Sequence, residues 1–381
     1  MKIGIITHPV IYNYGGILQN YALQQVLKDM GHEVYTIDRL PKTKLIIKIL
    51  SVGKRALLKL TGKKVKLRSW QTQKESDIIN KNTRGFVKKH IQTTNSIYKD
   101  TEINKIHEKY NFDAYIVGSD QVWRRNDAHG NDTEFLHFLA NNNKVKKVAY
   151  SASFGVSEWE FNEDETKRFQ QLAQLFDAIS VREDAGVVLC KNHLKVEAEH
   201  LVDPTMLLSK NQFISLVKNE EVQKSEGTLF SYVLDRNKNK NQIINEVSKT
   251  LELKDFEVLP EQNLKMEYKV DFDINKCVFP KIEQWLKAFI DAEFIITDSF
   301  HGTAFSILFN KPFIAIVNKS RGASRFYSLL KTFDLENRAI NQEDELSLSL
   351  LDEKIDFEKV NKILDDEKKK SFNFLTSVLN D

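Results

Sequence analysis

Short apolar runs alternate with amphipathic stretches along the chain, the pattern expected of strands and helices taken in turn. Residues 2–7 form one apolar run, and the turn-forming Asn13-Tyr14-Gly15-Gly16 follows. Leu18, Tyr21, Ala22, Leu23, Val26 and Leu27 then recur at helical spacing up to Gly31, which suits the position just past a helix end. With a further strand over 33–38, the first forty residues read as one βαβ unit. A polar helical stretch is expected over 71–90, and buried parallel strands over 113–117, 147–153 and 178–181, the last leading into a helix through Ala185, Val188 and Leu189.

The segment Leu201-Val202-Asp203-Pro204-Thr205 interrupts this pattern, because proline breaks regular structure, and a second alternation begins beyond it. Strands are expected at 228–234, 293–297 and 312–317, with helices at 240–251, 282–290 and 302–309, and one last helix over 357–379. Strands alternating with helices predict mostly parallel sheets covered on both faces, hence an α/β protein. The predicted division is an N-terminal domain over 1–202, a C-terminal domain over 203–345 and a helical tail over 346–381.

Length supports two domains, since 381 residues exceed the size at which one core stops growing. With 41% hydrophobic and 29% charged residues the chain is globular and not disordered. Cys190 and Cys277 stand far apart, which argues against a disulfide framework or a metal cluster and leaves both as small core residues. The apolar run at the N-terminus is too short for a signal peptide, and no stretch approaches the roughly eighteen apolar residues of a membrane span, so a cytoplasmic protein is expected.

The net charge of +3 hides an uneven distribution. Residues 39–74 hold no acid, while Lys42, Lys44, Lys48, Lys54, Arg55 and Lys59 are interleaved with leucines and isoleucines. That insertion suits either an amphipathic element resting on an anionic membrane surface or a solvated basic helix with an ordinary packed face. No nucleic-acid-binding module accompanies it.

Ligands of parallel sheets bind beyond the carboxyl ends of strands, so residues just after strands are the candidates for chemistry. Thr297-Asp298-Ser299-Phe300-His301-Gly302-Thr303 brings an acid/base histidine to a helix N-terminus, a place that suits phosphate or carboxylate; a capping cluster is the plain alternative. Arg182, after Ser180-Val181, offers paired donors to an anion or a salt bridge to its neighbours. Asn13, Gly15, Gly16 and Gln19 form a turn at a helix start without a dinucleotide fingerprint or a Walker lysine. Ser119, Asp120 and Trp123 group polar atoms with an indole as sugar sites do, against a buried aspartate satisfying loop amides. Arg321 and Arg325 add positive charge downstream.

Together, Asn13-Tyr14-Gly15-Gly16, Val117-Gly118-Ser119-Asp120-Gln121-Val122-Trp123, Ala149 through Gly155, Ser180-Val181-Arg182-Glu183, Asp203-Pro204-Thr205 and Asp298 through Phe305 resemble the polysaccharide pyruvyl transferase family, in family order. The resemblance implies two Rossmann-like domains facing across a cleft, as in GT-B glycosyltransferases, with the tail returning to the first domain. It implies phosphoenolpyruvate as donor, a sugar diol, free or lipid-linked, as acceptor, and a cyclic pyruvate ketal and phosphate as products, with no metal or organic cofactor. His301 is then the proton-transfer group with Asp298 beside it, and Arg182 clamps the donor. Ser299, Gly302, Thr303, Arg321 and Arg325 line the donor side, and Asn13, Gly15, Gly16, Gln19, Ser119, Asp120 and Trp123 the acceptor side. Family members with Arg-Leu-His-Gly at the second-domain motif carry arginine where this chain has Ser299, so Arg321, Arg325 or a lysine is expected to supply the missing charge. Two other readings fit the same architecture: a glycosyltransferase using a nucleotide sugar, and a non-catalytic component of a polysaccharide assembly complex.

Overall fold

The computed structural model describes residues 1–40, 45–61, 71–125, 131–218, 220–262, 273–317, 322–343 and 346–380, with backbone alone for 45–49. Within these, β1 (Lys2–Ile6), β2 (Glu33–Thr36), β3 (Ala114–Val117), β4 (Lys146–Ala152), β5 (Ala178–Val181) and β6 (Glu199–His200) pair in parallel in the order β2-β1-β3-β4-β5-β6. A second parallel sheet follows from β7 (Leu229–Tyr232), β8 (Asp255–Phe256), β9 (Phe294–Thr297), β10 (Phe313–Val317) and β11 (Ala339–Asn341), in the order β11-β10-β9-β7-β8. The predicted α/β class and paired parallel sheets are therefore the observed ones. Strands β3 and β9 are buried along their whole length, which is why they read as unbroken apolar runs.

Strand order reverses once in each sheet, between β1 and β3 in the first and between β7 and β9 in the second. Such switch points open a crevice at the carboxyl ends of the strands. Thr7 and His8 follow β1, and Gly118 to Asp120 follow β3, so the first crevice is lined by the segments expected to carry chemistry. In the second sheet the carboxylate at the switch point is bonded within the protein. Asp298, after β9, accepts hydrogen bonds from the backbone N–H of Leu234 (2.7 Å) and Asp235 (3.2 Å), beyond β7.

The long helix Tyr14–Asp29 packs beside β2 of the first sheet, and its N-terminal end meets the second half of the chain. Asn13 caps it by accepting from the Gly16 amide at 3.2 Å. Tyr14 then reaches into the second half of the chain, with its ring 5.8 Å from Trp285 and its hydroxyl donating to the Pro280 carbonyl at 3.0 Å. One apolar cluster accordingly runs from Ile3, Leu18 and Leu23 through Phe230, Trp285 and Phe305. The final helix, Phe357–Asn380, packs on the first sheet: Phe374 lies 6.2 Å from Tyr150, and the Lys146 ammonium donates to the Val378 carbonyl at 2.8 Å.

Differences from the sequence pattern are local. The polar stretch at 71–90 is two helices, Gln73–Ile79 and Lys81–His90, split at Asn80. Helices Ile103–Tyr110, Glu163–Ala173 and Lys210–Lys218, and the short strands β6, β8 and β11, were not anticipated. Cys190 and Cys277 are buried and not joined in a disulfide, and burial, reinforced by Glu183, pushes Cys190 up to about 12.

Candidate active site

Four strand ends and the interdomain crossing converge on one buried polar cluster. Arg182, directly after β5, donates from Nη1 to Asp203 Oδ2 at 2.9 Å and to Ser119 Oγ at 3.3 Å. Ser119 in turn donates to the same Asp203 oxygen at 2.8 Å. His301 brings its Nε2 to 3.5 Å from that oxygen from the second domain. Asp203 is itself locked by the amide and hydroxyl of Thr205, at 3.0 and 2.8 Å, in a turn that Pro204 begins. Burial acts to raise the Asp203 carboxyl, but His301, Arg182 and the Thr205 amide outweigh it and hold the group well below the usual carboxylate range. Asp203 is thus a fixed negative charge shared by a guanidinium of one domain and an imidazole of the other.

Asp120 forms the other pole. Its φ of 85° lies in the left-handed region that aspartate tolerates and most residues avoid. From there its carboxylate meets Asn13 Nδ2 at 3.4 Å, His8 Nδ1 at 3.9 Å and Arg182 Nη2 at 3.8 Å. Burial again works to raise this carboxyl, and His8, Arg182, His301 and Arg325 together bring it down to about 2. A depressed carboxylate contributes stability that is complete above its unfolded value near 3.8 and is lost as pH falls through its folded value. Unfolding free energy is therefore expected to drop between about pH 4 and pH 2 by an amount on the order of 2 kcal/mol from this group, seen as a falling melting temperature, and Asp120→Asn to flatten that part of the profile.

The glycine turn and the histidine motif, nearly three hundred residues apart in sequence, are in direct contact. A methyl group on Gly15 would collide with Cβ, Cγ and Nδ1 of His301, so only glycine lets the two helix starts approach this closely. Gly15→Ala is expected to displace the imidazole and lower turnover by about a hundredfold, at a stability cost of about 1–3 kcal/mol, as read by steady-state kinetics and thermal melting.

Phe300 lies between two cations. The Arg182 guanidinium sits 4.2 Å from its ring centre and that of Arg325 5.8 Å. Burial, and then repulsion from Arg182, bring Arg325 down to about 10. Arg325 thus adds positive charge near the histidine motif; Arg321 lies outside the described residues. Among the described residues, Nε and Nη2 of Arg182 are buried without a hydrogen-bond partner, while Nε2 of His301 has only its 3.5 Å contact with Asp203. Buried donors left open in this way are available to an acceptor.

Other candidates lie elsewhere. Asp298 pairs with the Lys240 ammonium at 2.7 Å, both side chains being buried, so its carboxylate is committed to the second sheet's switch point and Asp203 is the carboxylate beside His301. Trp123 is wholly enclosed, stacked 5.0 Å from Phe135 and donating its indole N–H to the Glu134 carbonyl, and presents no face to the cleft. Gln19 donates to Thr7 Oγ1 and the Gly16 carbonyl, behind the glycine turn. Ser299 caps helix Phe300–Leu308 by accepting from the Gly302 amide, Gly302 packs on Thr297, and the Thr303 hydroxyl returns to the Ser299 carbonyl. His8 and Asp203 were not singled out from sequence as site residues; His8 follows β1 directly, so the strand-end rule was sufficient to find it.

No group of metal-ligating side chains occurs among the described residues. The geometry defines a two-domain α/β protein whose buried cluster of Arg182, Asp203 and His301 lies where the domains meet. The profile of the polysaccharide pyruvyl transferase family matches residues 13–320, most of the chain, and the chain belongs to that family of polysaccharide-modifying transferases. No curated protein matches it. Among solved structures, S. aureus MnaA with UDP aligns with a TM-score of 0.52 at 13% identity, covering 100% of this chain and 97% of that one. UDP-GlcNAc 2-epimerase from Methanocaldococcus jannaschii, in complex with UDP-GlcNAc and UDP, aligns with a TM-score of 0.50 at 12% identity, covering 99% of this chain and 100% of that one. At such identities the likeness shows the fold alone, which is the GT-B-like one.

Proposed function

We propose that the chain transfers a pyruvyl group from phosphoenolpyruvate to a sugar diol of an exopolysaccharide or capsule, or of its lipid-linked precursor, on the cytoplasmic side of the membrane. The observation that carries this reading is the pair of open donors on Arg182, held with His301 around Asp203 in a site that Arg325 makes more positive. A small, multiply charged anion matches that set.

In this scheme Arg182 and Arg325 hold the phosphate and carboxylate. His301 delivers a proton to the enol carbon, which becomes a methyl group, and the adjacent carbon becomes electrophilic. One sugar hydroxyl attacks that carbon, the bond to the phosphate oxygen breaks, and the second hydroxyl closes the ring. The two hydroxyl protons balance the one gained by the methyl group and the one leaving on phosphate. Asp203 orients His301. Asn13, the backbone at Gly15 and Gly16, and Asp120 line the adjacent acceptor side.

Thermal melting with each donor class separates this reading from nucleotide-sugar transfer. Phosphoenolpyruvate at about a hundred times its Kd is expected to stabilise the protein by about 2.7 kcal/mol, while UDP has little effect. Stabilisation by UDP with none from phosphoenolpyruvate would overturn the donor assignment.

A further inference from the structure

The basic insertion plays no part in the chemistry above. Its described core is the helix Leu45–Leu60, sixteen residues without an acid. None of the side chains from Leu50 to Leu60 is buried, and Leu50, Leu57 and Leu60 are 67%, 64% and 84% exposed. Surface leucines at this spacing lie on one face of a helix, while Arg55 and Lys59 fall on the opposite face and Lys54 on the flank. An apolar stripe facing water gains nothing for a protein in solution, and a row of cations without acids is unsuited to pairing with a like copy of itself.

We infer that helix Leu45–Leu60 is a membrane-docking element that lies in the interface plane of an anionic bilayer. Leu50, Leu57 and Leu60 enter the boundary between headgroups and acyl chains, and Lys54, Arg55 and Lys59 lie at the level of the lipid phosphates. Charge complementarity selects an anionic lipid surface over an apolar protein partner. No described helix is long and apolar enough to cross a membrane, so the contact is peripheral. The inference deepens the proposed function by seating the cleft beside lipid-linked acceptors, yet it needs nothing from the donor assignment.

The test is co-sedimentation of the full chain with phosphatidylcholine vesicles, with and without about one third phosphatidylglycerol, at low and high salt. Binding is expected to the anionic vesicles only and to weaken with salt. Leu50→Asn/Leu57→Asn/Leu60→Asn and Lys54→Glu/Arg55→Glu/Lys59→Glu are each expected to reduce partitioning at least about tenfold, with unchanged circular dichroism and melting temperature. Equal binding by wild type and both variants, no binding to anionic vesicles, or variants that change the oligomeric state in place of lipid binding would each overturn the inference. Vesicle binding is read without donor or acceptor, so its failure leaves the donor-melting result standing, and the reverse holds.

Discussion

Replacing His301 with alanine is expected to lower turnover by about a hundredfold to ten-thousandfold, the range over which a positioned acid/base group acts. The loss should fall on kcat, with donor affinity held within a few-fold by Arg182 and Arg325. His301 is buried beside Gly15 and shares Asp203 with Arg182, so the imidazole is positioned by both domains before any substrate arrives. Single-turnover measurement of phosphate release separates the chemical step from binding. Asp203→Asn should fall in the same direction, because it removes the carboxylate that holds the imidazole in place. A His301→Ala protein with wild-type turnover would remove the imidazole from the reaction.

The second large effect is on stability. Lys240→Met leaves Asp298 as a negative charge at the switch point of the second sheet, with two backbone donors and no cation. Breaking a buried pair from one side costs about 3–5 kcal/mol, much more than removing an exposed ion pair. Urea denaturation should show that loss as a lower midpoint with an unchanged slope. A loss below about 1 kcal/mol would mean that the Asp298 carboxylate is reached by water, and would return it to the candidates for proton transfer.

These two residues also mark how far the sequence is legible. Thr297-Asp298-Ser299-Phe300-His301-Gly302 reads as a strand delivering polar groups to a helix start, and that is its structure. Sequence order does not say which polar group turns toward the cleft. Asp298 turns back to Lys240, fifty-eight residues earlier, because β7 and β9 are neighbours in the sheet. Asp203 reads only as the residue before a proline at the interdomain crossing, and its role emerges once β5 brings Arg182 and β9 brings His301 to the same oxygen. Trp123 has the composition of a sugar platform, but Phe135 and Phe154 enclose it from segments whose approach leaves no periodic signal.

The fold shows the same division. Central strands such as β3 and β9 are covered on both faces and announce themselves as apolar runs. Strands β6 and β8 are two residues long and exist only through pairing at a sheet edge, too short for any alternation to be read. The Gly15 contact with His301 was invisible in either motif alone, although both were recognisable as helix starts. Arg325 was expected on the donor side, but the helix that carries it, Ala323–Thr332, was not read from the pattern, and only folding sets its charge over Phe300.

The most direct measurement is product analysis after incubating the protein with phosphoenolpyruvate and lipid-linked or free glycans ending in galactose, mannose, glucose or N-acetylhexosamine. Pyruvyl transfer predicts one acceptor that gains the mass of pyruvate less one water, with one phosphate released per ketal formed and neither product from the His301→Ala protein. Folded protein that binds phosphoenolpyruvate yet yields neither ketal nor phosphate with any of these acceptors would contradict it.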